Sequence, residues 1–528
     1  MSFGPVISSR TIVALVLLAA ACGGRTYERQ ARDAHVIRIG SPIRLTSIAP
    51  REGWDYYRAQ VASYVFEGLT HVGEDGRVLP CLAREWRVSP NGREYRFHLR
   101  AGATFHDGSP FRAADVVRAW TDALREQEGA LTHPWMLDPI EGAREFSAGV
   151  APGVVGLSAP DDSTLLVRLR EPLAFFPTLL SLPQSFIPAA ASDSSLPLGT
   201  GPWNWAGADS AGAEVRLVRY AAYWGETPLL DSLLYRYVPV ALVARAFGEG
   251  WVDMVSELPS PLRIEWSVRG DIGFVESNAM NATRLVINFR EPAFHDLRVR
   301  RALNHAVAAA RLATTTGAAN AVRAAGAIPP SLAGATPDRA PYGFDPVLAR
   351  RLLRESDYPP GRPIRLWVPG PGLSDYPPEI AHFLRDYLEA AGFTVDLRIQ
   401  SDGLEEAMAN RDADMILSVW VGDYADGDAF LYPLYHSNSA GSAGNEGFYE
   451  NPALDRVIDA SRREPDPARR VALLRTADSL VFEEAPAVFL WFTRTTTAYS
   501  LRLSGWGRDP QSSRFTRVRL GTPEPETP

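Results

Sequence analysis

Three carboxylates stand close together in Trp420-Val-Gly-Asp-Tyr-Ala-Asp-Gly-Asp-Ala-Phe430: Asp423, Asp426 and Asp428. An apolar run, Met415 to Val419, leads into them. Four roles suit such a group: calcium ligation, acid–base catalysis, capture of an organic cation, or a plain turn. An EF-hand loop needs oxygens at positions 1, 3 and 5, glycine at 6 and glutamate at 12. Counted from Asp423, the acids fall at positions 1, 4 and 6, the glycine at 5, and position 12 is Leu434, so that template fails. Glycoside hydrolysis needs two carboxylates roughly 5–9 Å apart across a sugar. Two acids of one loop could meet that distance, but no other feature supports it. A carboxylate at the end of a buried strand, beside Trp420, is partly desolvated and favours an ammonium partner. Asp426 and Asp428 read as turn or cap residues.

Other chemistries lack their residues. All 54 basic residues are arginine, which removes Schiff-base lysines, the phosphate-loop lysine and a lysine general base. There is no His-Glu-x-x-His, Gly-x-Ser-x-Gly or Cys-x-x-Cys pattern. No catalytic residue, metal site or cofactor is therefore expected. The net charge of −8 argues against a nucleic-acid partner, which requires a basic face.

The elements that would position the acids alternate between strand and helix along the chain. Strands are predicted at 35–40, 94–100, 164–169, 214–219, 232–238, 285–289, 364–368, 394–399, 415–419 and 488–493. Helices are predicted at 57–69, 111–124, 298–314, 378–391, 452–461 and 466–482. The alternation of Tyr95, Phe97 and Leu99 is the clearest two-residue period. This order indicates an α/β protein, and 528 residues are too many for one core.

Residues 1–22 read as an export signal. Arg10 supplies the positive start, Thr11 to Ala21 the apolar stretch, and small residues lead into Cys22. The stretch is shorter than the roughly 20 residues of a spanning helix. It resembles a bacterial lipoprotein signal, in which Cys22 would be lipidated and anchor the mature chain to a membrane. Residues 23–34 read as a tether. Cys81 then lacks a partner and is expected to be a small buried residue.

A more specific resemblance lies in residues 65–117. Glu67-Gly-Leu69, Pro80 with Leu82-Ala83, Trp86, Phe105-His-Asp-Gly108 and Asp115-Val-Val117 occur in the order and spacing of the peptide-binding family of extracellular solute-binding proteins of ABC importers. The similarity continues through Gly199-Thr-Gly-Pro202, Tyr223-Trp-Gly225, Gly250-Trp-Val-Asp253, Asp296 to Ala302, Trp420-Val-Gly-Asp-Tyr424 and Glu484-Ala-Pro486. Most of these residues read as structural: turns at 105–108 and 199–202, a helix start at Asp115, ion pairs or a solvated face at Arg298 and Arg300, and core at Trp224.

The resemblance implies a two-lobed, periplasmic-binding-protein-like fold of type II with an extra subdomain inserted in the first lobe. The lobe I core would comprise 35–55, 197–283 and 493–528, the insert 56–196, and lobe II 284–492. It implies a secreted monomer of the periplasm or cell surface that binds peptides between its lobes and delivers them to a permease. In peptide-binding members the aspartate of this strand-end motif pairs with the ligand's α-amino group, a place held here by Asp423. Trp420 would wall the pocket, Tyr424 belongs to the same ligand-binding motif, and the backbone of 418–421 could pair with an extended peptide. Two departures bear on the ligand. Ser47-Ile-Ala-Pro50 replaces a common Leu-Asp-Pro, and no basic residue follows Val368 where some dipeptide binders clamp a carboxylate. These lean toward longer or atypical ligands. Sugar, nickel and haem binders share the family, so non-peptide cargo stays open, as does a secreted hydrolase using the acidic loop.

Overall fold

The computed structural model describes residues 35–50, 56–73, 76–125, 133–193, 195–318, 320–370, 377–441, 444–505 and 514–521. The signal sequence, Cys22 and the tether lie outside them.

Three principal sheets organise the chain. The first has seven strands, in the order Ile272–Asn278, Arg494–Ser500, Met254–Val255, Val36–Ser41, Ser232–Tyr237, Glu214–Arg219 and Trp203–Ala208. Its strand Val36–Ser41 is buried along its whole length, as a strand covered on both faces must be. The inward Arg38 is tolerated because its backbone N–H and guanidinium both donate to Asp253, at 3.0 and 3.4 Å.

The second sheet has six strands, in the order Val322–Arg323, Ala487–Phe492, Asn281–Ile287, Met415–Val421, Pro363–Pro369 and Thr394–Gln400. The third, Ala83–Val88, Glu94–Leu99, Thr164–Arg168 and Leu157–Asp161, stands apart with the helix Ala113–Arg125. That helix buries Ala113, Val116, Ala119, Trp120 and Leu124 on one stripe. Asp115 accepts the Arg112 N–H at 2.9 Å and closes its first turn.

The chain passes between the first and second sheets at two neighbouring places, 278–281 and 492–494. Asn278 pairs with Arg494 across them. The Ala279 N–H donates to the Thr493 carbonyl at 3.0 Å, and the Thr493 N–H to the Asn281 side chain at 2.9 Å. Two adjacent extended strands make a connection that can bend without breaking either sheet.

Several elements differ from the sequence reading. The helix read over 57–69 ends at Val65, because Phe66 to Leu69 leave it to bring the Glu67 carboxylate into a buried polar cluster. The helix read over 298–314 is two helices, Leu297–Ala306 and Ala309–Thr315. Asn304 explains the break: its amide donates to the Ala487 carbonyl and accepts from the Phe489 N–H, tying the helix end to a strand, and Val307 is extended. The strand read as ending at Val419 runs to Val421. Asn281–Thr283, read with the first lobe, pair in the second sheet.

Candidate binding site at the strand end

The strand Met415–Val421 pairs along its full length with Asn281–Ile287. On its other side it pairs with Pro363–Pro369 only at Met415 and Ile416, opposite Leu366 and Trp367. The two strands then part. Among the described residues, Leu417 to Val421 have no strand partner on this side and present an open edge, with Val419 42 % and Val421 62 % exposed. An open edge of unpaired N–H and C=O groups is what an added strand needs.

Trp420 lies in this open segment, half-buried. Its indole N–H donates to the Ala429 carbonyl at 2.8 Å, which sets the ring's direction. The ring also presses on Gly444, where an added Cβ would come within 3.1 Å of it. Gly422 then ties the strand end to the inter-sheet connection, its N–H donating to Met280 at 2.7 Å. An added Cβ at Gly422 would come within 2.6 Å of the Phe430 ring, so only glycine fits there.

Asp423 follows directly. No described residue donates to its carboxylate. It is exposed to solvent, yet protein surrounds it closely enough that desolvation pushes its pKa above the usual carboxylate range. An unpaired carboxylate so placed is poised for a cation supplied from outside.

Tyr424 turns elsewhere. It is buried, stacks on Phe175 with ring centroids 5.3 Å apart and planes 4° apart, and lies 5.8 Å from Trp135. Its hydroxyl donates to Asp428 at 2.8 Å. Burial beside Asp428 pushes the phenol's pKa well up. Tyr424 also borders a cavity of about 720 Å³ on the seam between the second sheet's helices and the third-sheet subdomain. The three residues read as ligand contacts are thus adjacent in the chain but divided in space, with Tyr424 on the seam.

Asp426 and Asp428 require a correction, because loop geometry is only part of their role. Asp426 does accept the Asp428 N–H at 2.8 Å, as a turn acid would. Both its oxygens also take a guanidinium fork from Arg470, each at 2.7 Å. Asp428 is fully buried and pairs with Arg462 at 2.7 Å. Burial raises its pKa, with Arg462 opposing. Asp426 thus spends both oxygens on Arg470, and Asp428 spends Oδ2 on Arg462 and Tyr424, with its Oδ1 buried and without a hydrogen-bond partner among the described residues.

The other motif residues converge on Glu67. This fully buried carboxylate accepts from Tyr223 and Thr200, each at 2.9 Å, from Trp224 at 2.7 Å, and from Arg514. Cys81 is a free, buried thiol beside it, its pKa pushed up to about 12 by burial. Gly199 and Gly201 pass the end of the helix Tyr56–Val65 so closely that a Cβ would lie 2.0 Å from the Val65 oxygen and 2.3 Å from that of Tyr64. His106 bonds the same turn through Gly201 at 2.9 Å. Arg298 pairs with Asp296 at 2.7 Å, and Arg300 is buried on the Phe294, His295 and Glu484 carbonyls. These residues are structural.

Comparison with known proteins agrees with this architecture. The glutathione-binding protein GsiB of Shigella dysenteriae is 26 % identical, over 94 % of this chain and 95 % of that protein. HbpA2 from Haemophilus parasuis superposes with a TM-score of 0.82 at 19 % identity, covering 92 % of this chain and all of that one. The periplasmic binding protein DppA from Helicobacter pylori, in complex with the peptide STSA, gives 0.70 at 23 % identity, covering 92 % and 98 %. The model of the bacterial extracellular solute-binding proteins, family 5, matches residues 77–442, and the chain belongs to that family.

Proposed function

We propose that this protein is the substrate-binding component of an ABC importer, taking up peptides in the cleft between its two lobes and delivering them to a membrane permease. The observation that carries this reading is Asp423, an accessible, desolvated carboxylate without a partner among the described residues, next to Gly422 on the inter-sheet connection. The ligand's ammonium group supplies the missing charge. The open edge of Leu417–Val421 supplies backbone pairing that does not depend on side-chain identity. Trp420 contributes apolar contact. The similarity to a glutathione-binding protein and to a binding protein solved with a peptide supports a peptide-like cargo.

The lobes are the bodies built on the first and second sheets, and the third-sheet subdomain is the insert of lobe I. Closure is a bend at 278–281 and 492–494, stabilised by contacts the ligand makes with both lobes. No bond is broken, so the protein needs neither catalytic residue nor cofactor. The mature chain acts as a monomer outside the cytoplasmic membrane, held there by lipid on Cys22. Mass spectrometry of the membrane-bound protein shows a lipid adduct at Cys22 on this reading, and Cys22→Ser releases the chain.

The function is tested by releasing what co-purifies with the protein and identifying it by mass spectrometry. Peptides of a few residues support the reading. An oligosaccharide or a metal chelate replaces it with non-peptide transport, and turnover of a released compound with hydrolysis.

A further inference from the structure

The third-sheet subdomain contributes no strand to the two sheets that form the cleft. It nevertheless reaches the loop that carries Asp423. Phe175, on the chain that follows its strand Thr164–Arg168, is only 4 % exposed and enters the second body beside that loop. It stacks flat on Tyr424. The guanidinium groups of Arg462 and Arg470 cover it, 5.2 and 5.3 Å from the ring centroid. The neighbouring Ala174 N–H donates to the Arg462 carbonyl at 2.7 Å, which fixes the approach.

Those three partners are the ones that hold the loop. Tyr424 follows Asp423 and bonds Asp428. Arg470 grips Asp426 with a two-point fork, and Arg462 grips Asp428. Among the described residues, the side chains that bond the acids of this loop beyond Asp423 are therefore ones that Phe175 touches, while the Trp420 indole holds the Ala429 carbonyl just past it. On the near side the strand ladder ends at Val421, and the Gly422 N–H continues it by donating to the Met280 carbonyl at 2.7 Å. A ring that excludes water from two guanidinium–carboxylate pairs strengthens both, because ion pairs weaken as solvent reaches them.

We propose that Phe175 is a positioning residue for ligand binding: acting through Tyr424, Arg462 and Arg470, it holds the 422–428 loop so that the Asp423 carboxylate faces the cleft. This makes the inserted subdomain part of the binding machinery. It rests on Asp423 being the ligand's ammonium partner.

The test uses the full chain and Phe175→Leu, which keeps apolar volume and removes the ring. Without ligand, hydrogen exchange of the Gly422 amide accelerates by about tenfold or more, while the ladder amides of Met415–Leu417 keep their rates. An unchanged Gly422 rate overturns the proposal. The second arm is calorimetry with Ala-Ala-Ala and with glutathione in a double-mutant cycle against Asp423→Asn. Phe175→Leu weakens binding by about fivefold or more in the wild-type background and by less than about twofold beside Asp423→Asn. Equal loss in both backgrounds overturns the proposal, since the effect would then bypass Asp423. Should Phe175→Leu fail to fold, Arg470→Lys keeps the charge, loses the fork and must show the same non-additivity. Should neither peptide bind, the peptide reading falls, and the exchange arm alone decides the role of Phe175.

Discussion

Replacing Asp423 with asparagine removes one charge at nearly constant shape and separates two effects of opposite sign. In the free protein the carboxylate has no partner among the described residues and is desolvated, so its pKa lies above the unfolded value. A raised acid pKa means the native state holds its proton more tightly. The ionised form therefore costs stability at neutral pH, and that cost disappears as pH falls below the unfolded carboxylate value. Asp423→Asn should leave the ligand-free protein as stable as the wild type or more so at pH 7, with any gain vanishing in acid. In the complex the sign reverses. A pair of unit charges about 4 Å apart gains about 4 kcal/mol at an effective dielectric constant of about 20, and solvent access reduces this. A loss of about 2–4 kcal/mol follows, a roughly 30- to 1,000-fold weaker Kd for a free-amine peptide. Wild-type affinity should also fall as pH drops through the raised Asp423 pKa, and that acid limb should be missing in the variant. Calorimetry across pH and thermal unfolding without ligand measure both effects. Unchanged affinity, or a variant that binds weakly only because it is less stable, refutes the reasoning.

Three further predictions concern the scaffold. Glu67→Ala strands Arg514 and the donors of Thr200, Tyr223 and Trp224, and should cost about 3–5 kcal/mol in denaturant titration. Gly199→Ala forces a Cβ onto the Val65 carbonyl and should destabilise by about 1–3 kcal/mol or more, without altering Asp423 chemistry. His71 has its pKa lowered to about 4 by burial, with Arg514 adding to the shift. The unfolded state takes up the proton first, so stability should fall between about pH 6.5 and pH 4, by up to about 3 kcal/mol, and His71→Gln should flatten that limb.

The placement of Trp420 and Asp423 at a strand end was legible because the residues are contiguous. Trp420 and Asp423 sit on one strand and the loop after it, and an apolar run ending in a carboxylate is visible in a line of letters. The turn geometry of Asp426 and Asp428 was readable but their ion pairs were not, because what distinguishes a turn acid from a buried ion pair is its partner. Those partners, Arg470 and Arg462, arrive from helices 44 and 34 residues later. Tyr424 carried no mark of Phe175, which comes from another subdomain. The motif around Glu67 was recognisable as a pattern but not as a mechanism, since its donors range from Cys81, 14 residues away, to Arg514, 447 residues away. Helix type was readable from apolar spacing. Helix ends were not, where a tertiary bond decided them: Asn304 stops one helix by bonding a strand 183 to 185 residues distant.

The most direct test of the central claim compares binding of one defined peptide with a free α-amine and the same peptide N-acetylated, by calorimetry on the wild-type protein at pH 7. Capture of an ammonium group by Asp423 predicts that acetylation weakens binding by about 30-fold or more and leaves the Asp423→Asn variant almost indifferent to it. Equal affinity of the wild type for both peptides would contradict it.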